Sequence, residues 1–301
     1  MIPYNLIQAM LQKKMYTENK EFFLELNTIR YVIIKGEPLS VLAYNNLGKR
    51  KCADIDILVS KATLPDLEKL LNHFGFITKR HSRNDRILML TFSHQLSPWQ
   101  KPLSSIGRII IDVNFDMFWG EYRGKRIDID AFIDDSICLD IYGCQIKSLS
   151  PIKAMIQLIL HHYREMNSIY HIVKHNVISY EKFNDVYSLW KNNSTNGKIT
   201  LDALYHLCTK YEIIPYVFYI LYYTSRVFHD VDLKTWSDVF WTKEGEVLLD
   251  QYGLEEKERK KWPIDFETRL NAQDLYPIIK NNLTQNDYEK IKRSEYLFEE
   301  L

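Results

Sequence analysis

Between residues 31 and 149, short apolar runs alternate with turn residues; beyond residue 150 the apolar spacing lengthens to that of helices. Residues 1–28 predict one or two helices. Ile7, Met10 and Leu11 fall at helical spacing, and Phe22, Phe23, Leu24 and Leu26 follow the cap-like Thr17. Residues 31–34 read as a short buried strand that runs into Lys35-Gly36. Pro38 then opens a short helix through Leu39, Leu42 and Ala43, which Asn45-Asn46-Leu47-Gly48 ends; Lys49-Arg50-Lys51 is a basic loop. Residues 53–59 form a second strand. Residues 63–74 form an amphipathic helix with Leu64, Leu67, Leu70 and Leu71 inward and Gly75 as its stop. Residues 76–79 and 87–92 read as strands, 99–105 as a loop, and 108–115 as a strong strand. Shorter pieces follow over 127–146, including a strand at 137–141 and a turn at Gly143.

The character changes at Ser148-Leu149-Ser150-Pro151, where Ser150 suits an N-cap and Pro151 a first helical residue. Helical patterns follow over 152–163, 180–192, 200–212, 215–229, 243–251 and 284–298, with Glu255 to Lys261 as a solvated charge run. The expected fold class is α+β. A mixed β-sheet with helices would occupy residues 1–148, and a mostly α-helical domain residues 149–301.

Composition changes this picture little. Of 301 residues, 46% are hydrophobic and 26% charged, enough for a sizeable core in two domains. Lys plus Arg equals Asp plus Glu, 39 each, so bulk attraction to long nucleic acid is not expected. The Tyr, Lys, Asn and Ile content has the look of an AT-rich bacterial coding bias. Cys52, Cys138, Cys144 and Cys208 form no C-x-x-C pair and read as reduced thiols. The opening MIPYNLIQAMLQKK lacks the charged region of a leader peptide, and the greasiest stretch, 213–224, is too short to span a bilayer and contains Pro215. A cytoplasmic protein without membrane contact is the expectation.

The candidate chemistry lies in the 53–59 strand. Strand side chains alternate, so Asp54 and Asp56 share a face roughly 6–7 Å apart. Carboxylates so spaced can reach a pair of cations about 3.5–4 Å apart. Two like charges in a buried setting are costly unless a cation neutralises them. A bare D-x-D equally fits an edge strand with a solvated polar face. Asp112, within Arg-Ile-Ile-Ile-Asp-Val-Asn-Phe, adds a third carboxylate in a second apolar strand, with Asn114 on its face. Gly36, directly after a strand, lets backbone approach a phosphate ahead of a helix N-terminus, although most such glycines simply make turns.

Together these residues resemble the polymerase-beta-type nucleotidyltransferase superfamily. They are similar, more narrowly, to an uncharacterised bacterial nucleotidyltransferase family with K-G, a helix carrying a Tyr, and R-x-x-x-D-I-D-I-L-V. The matching residues are Lys35, Gly36, Tyr44, Arg50, Asp54, Asp56, Ile57, Leu58 and Val59, then Asp112-Val113-Asn114 where the family often reads D-L-H. The helical part matches only through Leu160-His161-His162. Two departures stand out: Glu37 takes the place of a Gly or Ser, and Asn114 that of a His. The resemblance implies two Mg²⁺ (or Mn²⁺) ions held by Asp54, Asp56 and Asp112, an NTP as substrate, and Lys35, Gly36, Arg50 and Lys153 around its phosphates. It implies transfer of a nucleoside monophosphate to a hydroxyl of a small molecule, peptide or protein, an EC 2.7.7-like reaction.

Other readings stay open. D-x-D also serves metal-dependent sugar transfer from nucleotide sugars, for instance in peptide natural-product tailoring. That chemistry needs a nucleotide-binding α/β unit ahead of the motif, where this chain has about fifty largely helical residues. A non-catalytic interaction protein on the same scaffold is a third reading, toward which only Glu37 leans. His161-His162 and His171-x-x-x-His175 suggest zinc, but no H-E-x-x-H is present, and a cleft-lining or satisfied core histidine is the expectation. Tyr216, Phe218, Tyr219, Tyr222 and Tyr223 read mainly as helix core, with an acceptor or base pocket as the alternative.

Overall fold

The structure, a computed structural model, describes residues 4–104, 107–117 and 126–298. The chain divides into two compact units. The first comprises residues up to Asp116 together with Ile127–Ala154; the second is mainly Met155–Tyr296.

The first unit is built on a mixed sheet. Its strands are β1 (Val32–Ile33), β2 (Ile55–Leu58), β3 (Ile77–Thr78), β4 (Trp99–Pro102), β5 (Arg108–Asn114), β6 (Ile137–Ile141) and β7 (Cys144–Ser148), in the order β3-β4-β5-β2-β1-β7-β6. The β2–β5 and β1–β7 pairs are parallel and the other pairings antiparallel. Alternation sorts the side chains. Ile33, Ile55, Ile57, Ile109, Ile111, Val113 and Ile146 join one buried cluster with Phe22, Phe23 and Leu26 of α2 (Lys20–Leu26) and with Leu64, Leu67 and Leu71 of α4 (Leu64–His73). Helix α1 (Tyr4–Thr17) contributes Met15 and Tyr16. The same alternation leaves Asp56 and Asp112 on the opposite face.

The remaining helices of this unit are α3 (Gly36–Tyr44), α5 (Arg83–Phe92) and α6 (Ile129–Phe132). Two expectations fail here. Residues 87–92 belong to α5 and not to a strand: Ser82 caps the helix, accepting from the Asp85 amide at 3.1 Å while its hydroxyl donates to the Asp85 carboxylate at 2.8 Å. The capping pair outweighs the strand-like Ile87-Leu88-Met89-Leu90 run. Residues 99–102, expected as loop, form β4 because Trp99 and Lys101 pair with Ile111 and Ile109 of β5.

The second unit is helical, as its apolar spacing predicts. Helix α7 (Pro151–Asn167) follows Ser150, whose carbonyl accepts from Ala154 N at 2.8 Å and whose hydroxyl donates to Asp135 at 3.0 Å instead of capping the helix. The chain continues through α8 (Ile169–Val173), α9 (Tyr180–Ser194), α10 (Leu201–Lys210), α11 (Ile214–Phe228), α12 (Val231–Val239), α13 (Lys243–Leu249), α14 (Phe266–Asn271), α15 (Tyr276–Ile279) and α16 (Gln285–Phe298). α11 is the central element. Tyr216, Phe218, Tyr219 and Tyr223 are buried on it, with Tyr163 against Tyr216 and Tyr219, and Phe266 stacked on Tyr223. The aromatic run is therefore core at four of its five positions. Arg269, 1% exposed, lies among Tyr223, Trp262 and Phe266 and donates to Tyr223 Oη at 3.0 Å and the Leu249 carbonyl at 3.1 Å.

The charge run is more ordered than expected. Lys260–Lys261 (β9) pair with Gln251–Tyr252 (β8), Lys260 Nζ lies 2.9 Å from the buried Asp287, and Glu258 binds Lys290. All four cysteines are free thiols. Among the described residues no helix is long and apolar enough to cross a membrane.

Candidate active site

β2 begins at Ile55, one residue after Asp54, so Asp54 sits in the bend entering the strand and Asp56 inside it. The parallel pairing with β5 sets Asp56 directly opposite Asp112 and Leu58 opposite Asn114. Neighbouring strands run about 4.8 Å apart, so Asp56 and Asp112 leave adjacent positions on one face. Asp56 is buried at 4% exposure, while Asp54 and Asp112 are partly open. Asn114, where a His was the family expectation, is also buried; its Nδ2 donates to Asp56 Oδ1 at 3.4 Å and to the Asp112 carbonyl at 3.3 Å.

Lys35 and Gly36 come to the same place. Lys35 occupies the N-cap position of α3 without a side-chain capping bond, and its Nζ lies 2.7 Å from Asp56 Oδ1. Gly36 has φ +61°, and a Cβ there would stand 3.4 Å from Cys52 Sγ. The glycine is required by that left-handed turn and by the close approach of residues 52–54. The Lys35–Asp56 pair was absent from the sequence reading, which gave Lys35 to phosphate alone. Spacing cannot show which cation answers which carboxylate.

The electrostatics leave Asp54 under strain. Burial pushes its carboxyl above the usual aspartate range, and the neighbouring Asp56 charge pushes it further; Lys35 and then Arg50 pull it back. Three carboxylates gathered here, one of them held above its ordinary range, form a hard-oxygen donor set, which suits Mg²⁺ or Mn²⁺. The residues present therefore fit a divalent cation.

Arg50 is held by its loop. Ser40, fully buried in α3, accepts from the amides of Lys49 and Arg50, both at 3.1 Å, and donates to the Asn46 carbonyl at 2.6 Å. Gln12 Nε2 donates to the Arg50 carbonyl at 2.8 Å. Glu37 completes the clamp and resolves its apparent misfit. Its side chain turns into the protein, fully buried, and accepts from Gly48 N at 2.8 Å and Tyr142 Oη at 2.9 Å. It ties α3 to the basic loop and to the β6–β7 turn and presents nothing to a phosphate. Ser40, Gln12 and Tyr142 were not singled out from sequence. Their partners lie 6–105 residues away, and only the serine of a Gly-x-x-x-Ser spacing at the start of α3 gave any local hint.

Lys153 is placed differently from the others. Its ammonium binds Asp135 at 2.5 Å and the Ala131 carbonyl at 3.3 Å and lies over the Phe132 ring. It answers a carboxylate of its own, so the geometry does not bring it to Asp54, Asp56 or Asp112. His171 and His175 do not share a helical face: His175 lies two residues beyond α8, has φ +61° and bonds Asp274 at 2.9 Å. A cavity of about 540 Å³ lined by Glu68, Ile77, Arg80, His81, Arg86 and Trp99 lies toward the β3 edge of the sheet and contains none of the three aspartates.

Comparison with known proteins places this geometry in context. No curated protein matches the chain. A crystal structure of an antigenic nucleotidyltransferase-like protein from Paracoccidioides brasiliensis is similar at 18% identity and a TM-score of 0.36, over 58% of this chain and 75% of that one. The model of a family described as an uncharacterised nucleotidyltransferase matches residues 8–229, which take in Lys35, Asp54, Asp56 and Asp112. With that span matched out of 301 residues, the chain belongs to this nucleotidyltransferase family and is a transferase of that general class.

Proposed function

We propose that this protein is a divalent-metal-dependent nucleotidyltransferase that moves a nucleoside monophosphate from an NTP to a hydroxyl group. The observation that carries the reading is the pairing of Asp56 with Asp112 across adjacent parallel strands, with Asp54 at the entry to the first. Asp54, Asp56 and Asp112 would hold the metal. The bound cation would supply charge neutralisation at the triphosphate and acidify the acceptor hydroxyl.

The chain's own residues do the rest. Lys35 holds the Asp56 carboxylate and places a positive charge at the start of α3. Gly36 keeps that approach free of side chain. Arg50, fixed through its backbone by Ser40 and Gln12, adds a second cation beside Asp54. Two cations and three acids suit a triphosphate that arrives with its metal. In the transfer, the acceptor oxygen bonds to the α-phosphorus, the bond from that phosphorus to the bridging oxygen breaks, and pyrophosphate leaves. The acceptor's proton passes to solvent water as its oxygen bonds. The balanced overall charge favours a small molecule, peptide or protein acceptor over long nucleic acid.

Equilibrium binding of each of the four NTPs with Mg²⁺ or Mn²⁺, comparing wild type with Asp54→Asn/Asp56→Asn, tests the reading. At least one NTP should bind only with metal and only to the wild type. If no NTP binds in a manner dependent on both metal and carboxylates, the proposal fails.

A further inference from the structure

Helix α7 carries His161, His162 and Glu165, each of which offers one ligand atom such that the three lie within 4.8 Å of one another. The spacing explains the convergence. His161 and Glu165 are one turn apart and Glu165 is three residues after His162, so one carboxylate reaches both rings. Glu165 Oε1 lies 3.2 Å from His161 Nε2, and Oε2 lies 3.7 Å from His162 Nδ1.

The His161 contact has the length of an ordinary hydrogen bond, whereas the His162 contact does not, and both lengths are compatible with ligands of one ion. Around a tetrahedral ion with bonds of about 2.0–2.2 Å, neighbouring ligand atoms stand roughly 3.3–3.6 Å apart. At 3.7 Å the His162–Glu165 approach is too long for a hydrogen bond. His162 is 3% exposed, and neither ring nitrogen has a hydrogen-bond partner. A buried imidazole without a partner on either nitrogen is costly and calls for a reason. His161 and Glu165, at 11% and 20% side-chain exposure, leave one side of the cluster open to entry.

We propose that His161, His162 and Glu165 form a binding site for a divalent transition metal of the Zn²⁺ class, with a coordination position left open. Two imidazoles and one carboxylate favour Zn²⁺, Co²⁺ or Ni²⁺ over Mg²⁺, which prefers oxygen alone. Lys182 is the cation that answers Glu165 in the metal-free state: its Nζ lies 2.7 Å from Oε2. It also touches Asn176 Oδ1 at 3.4 Å, a resting place once metal takes the carboxylate. Asp185, buried at 7% exposure, adds a negative charge that acts on His162 without a hydrogen bond to the ring. The inference is independent of the nucleotidyl-transfer proposal and goes beyond it.

Titration of the metal-stripped full chain with Co²⁺, followed by visible absorption, tests the site. One equivalent should give the strong bands of a low-coordinate cobalt centre, displaced by Zn²⁺. The bands should persist in Asp54→Asn/Asp56→Asn and in Cys138→Ser. Glu165→Gln and His162→Ala should weaken binding by at least about tenfold. Lys182→Gln should tighten binding several-fold, which a purely structural cluster would not do. If His162→Ala does not fold by circular dichroism, His161→Ala, on the open side, carries the same test. Absence of stoichiometric bands overturns the proposal, as do bands that survive both His161→Ala and Glu165→Gln, or a Lys182→Gln variant that binds no more tightly.

Discussion

Glu37 and Asp54 are both acids held above their ordinary pKa, but for different ends. Burial is the main cause at Glu37, opposed by the bonds from Gly48 and Tyr142. Glu37→Ala leaves those two donors without their acceptor and should cost about 1–3 kcal/mol in urea unfolding. Glu37→Gln keeps an acceptor and should cost much less. A raised folded pKa means that Glu37 contributes stability fully below the ordinary glutamate pKa of 4.5 and loses it as pH rises through the raised value. The stability of wild type relative to Glu37→Gln should therefore fall as pH rises from about 4.5; a difference that grows with pH refutes the assignment. Asp54 shares the sign. In chelator-treated protein at neutral pH, Asp54→Asn should melt above wild type, and Mg²⁺ should raise the melting point of wild type only. Equal Mg²⁺ stabilisation of both proteins would place the cation elsewhere. Gly36→Ala forces a Cβ into the left-handed turn and should cost about 1–2 kcal/mol, visible in the same unfolding assay.

At the scale of elements, β2 and β5 were legible because each places an acid inside an isoleucine-rich run, and alternation alone separates the two faces. What the sequence could not convey was which strand lies beside which. The parallel register of Asp56 with Asp112 joins segments 56 residues apart, with α4, α5 and two strands between them. Lys35, Gly36 and Arg50 were legible as cation and turn chemistry next to a strand. Ser40, Gln12 and Tyr142 were not, because their work is to satisfy backbone and side-chain groups distant in sequence. Lys153 shows the converse: a lysine at the start of a helix looks available until Asp135 is seen beside it. α5 was misread because its capping pair lies ahead of the apolar run. Ser82→Ala should cost about 0.5–2 kcal/mol and increase hydrogen exchange over residues 83–92. Unchanged exchange there would deny the cap its role.

At the scale of the whole molecule, charge balance and helical mass were legible from composition and period, and the α+β architecture followed from their order. With 39 charges of each sign, duplex DNA should bind weakly at physiological salt and be released as salt rises, in a mobility-shift titration; tight, salt-resistant binding would argue for a nucleic-acid acceptor. The helical unit adds a buried cation that composition could not show. Arg269 is held by aromatic faces, a hydroxyl and a carbonyl, so Arg269→Lys forfeits the planar fork and is not conservative.

The two faces of β2 and β5 also tie the site to the core by parity. Odd positions 55, 57, 109, 111 and 113 feed the buried cluster, and even positions 56 and 112 carry the acids. A single-residue insertion or deletion within β5 ahead of Asp112 would swap the two sets, sending a carboxylate inward and an isoleucine outward together. Such a frame change cannot move the acids off their face while sparing the core, so on this scaffold the acids can be lost from a folded protein only by substitution.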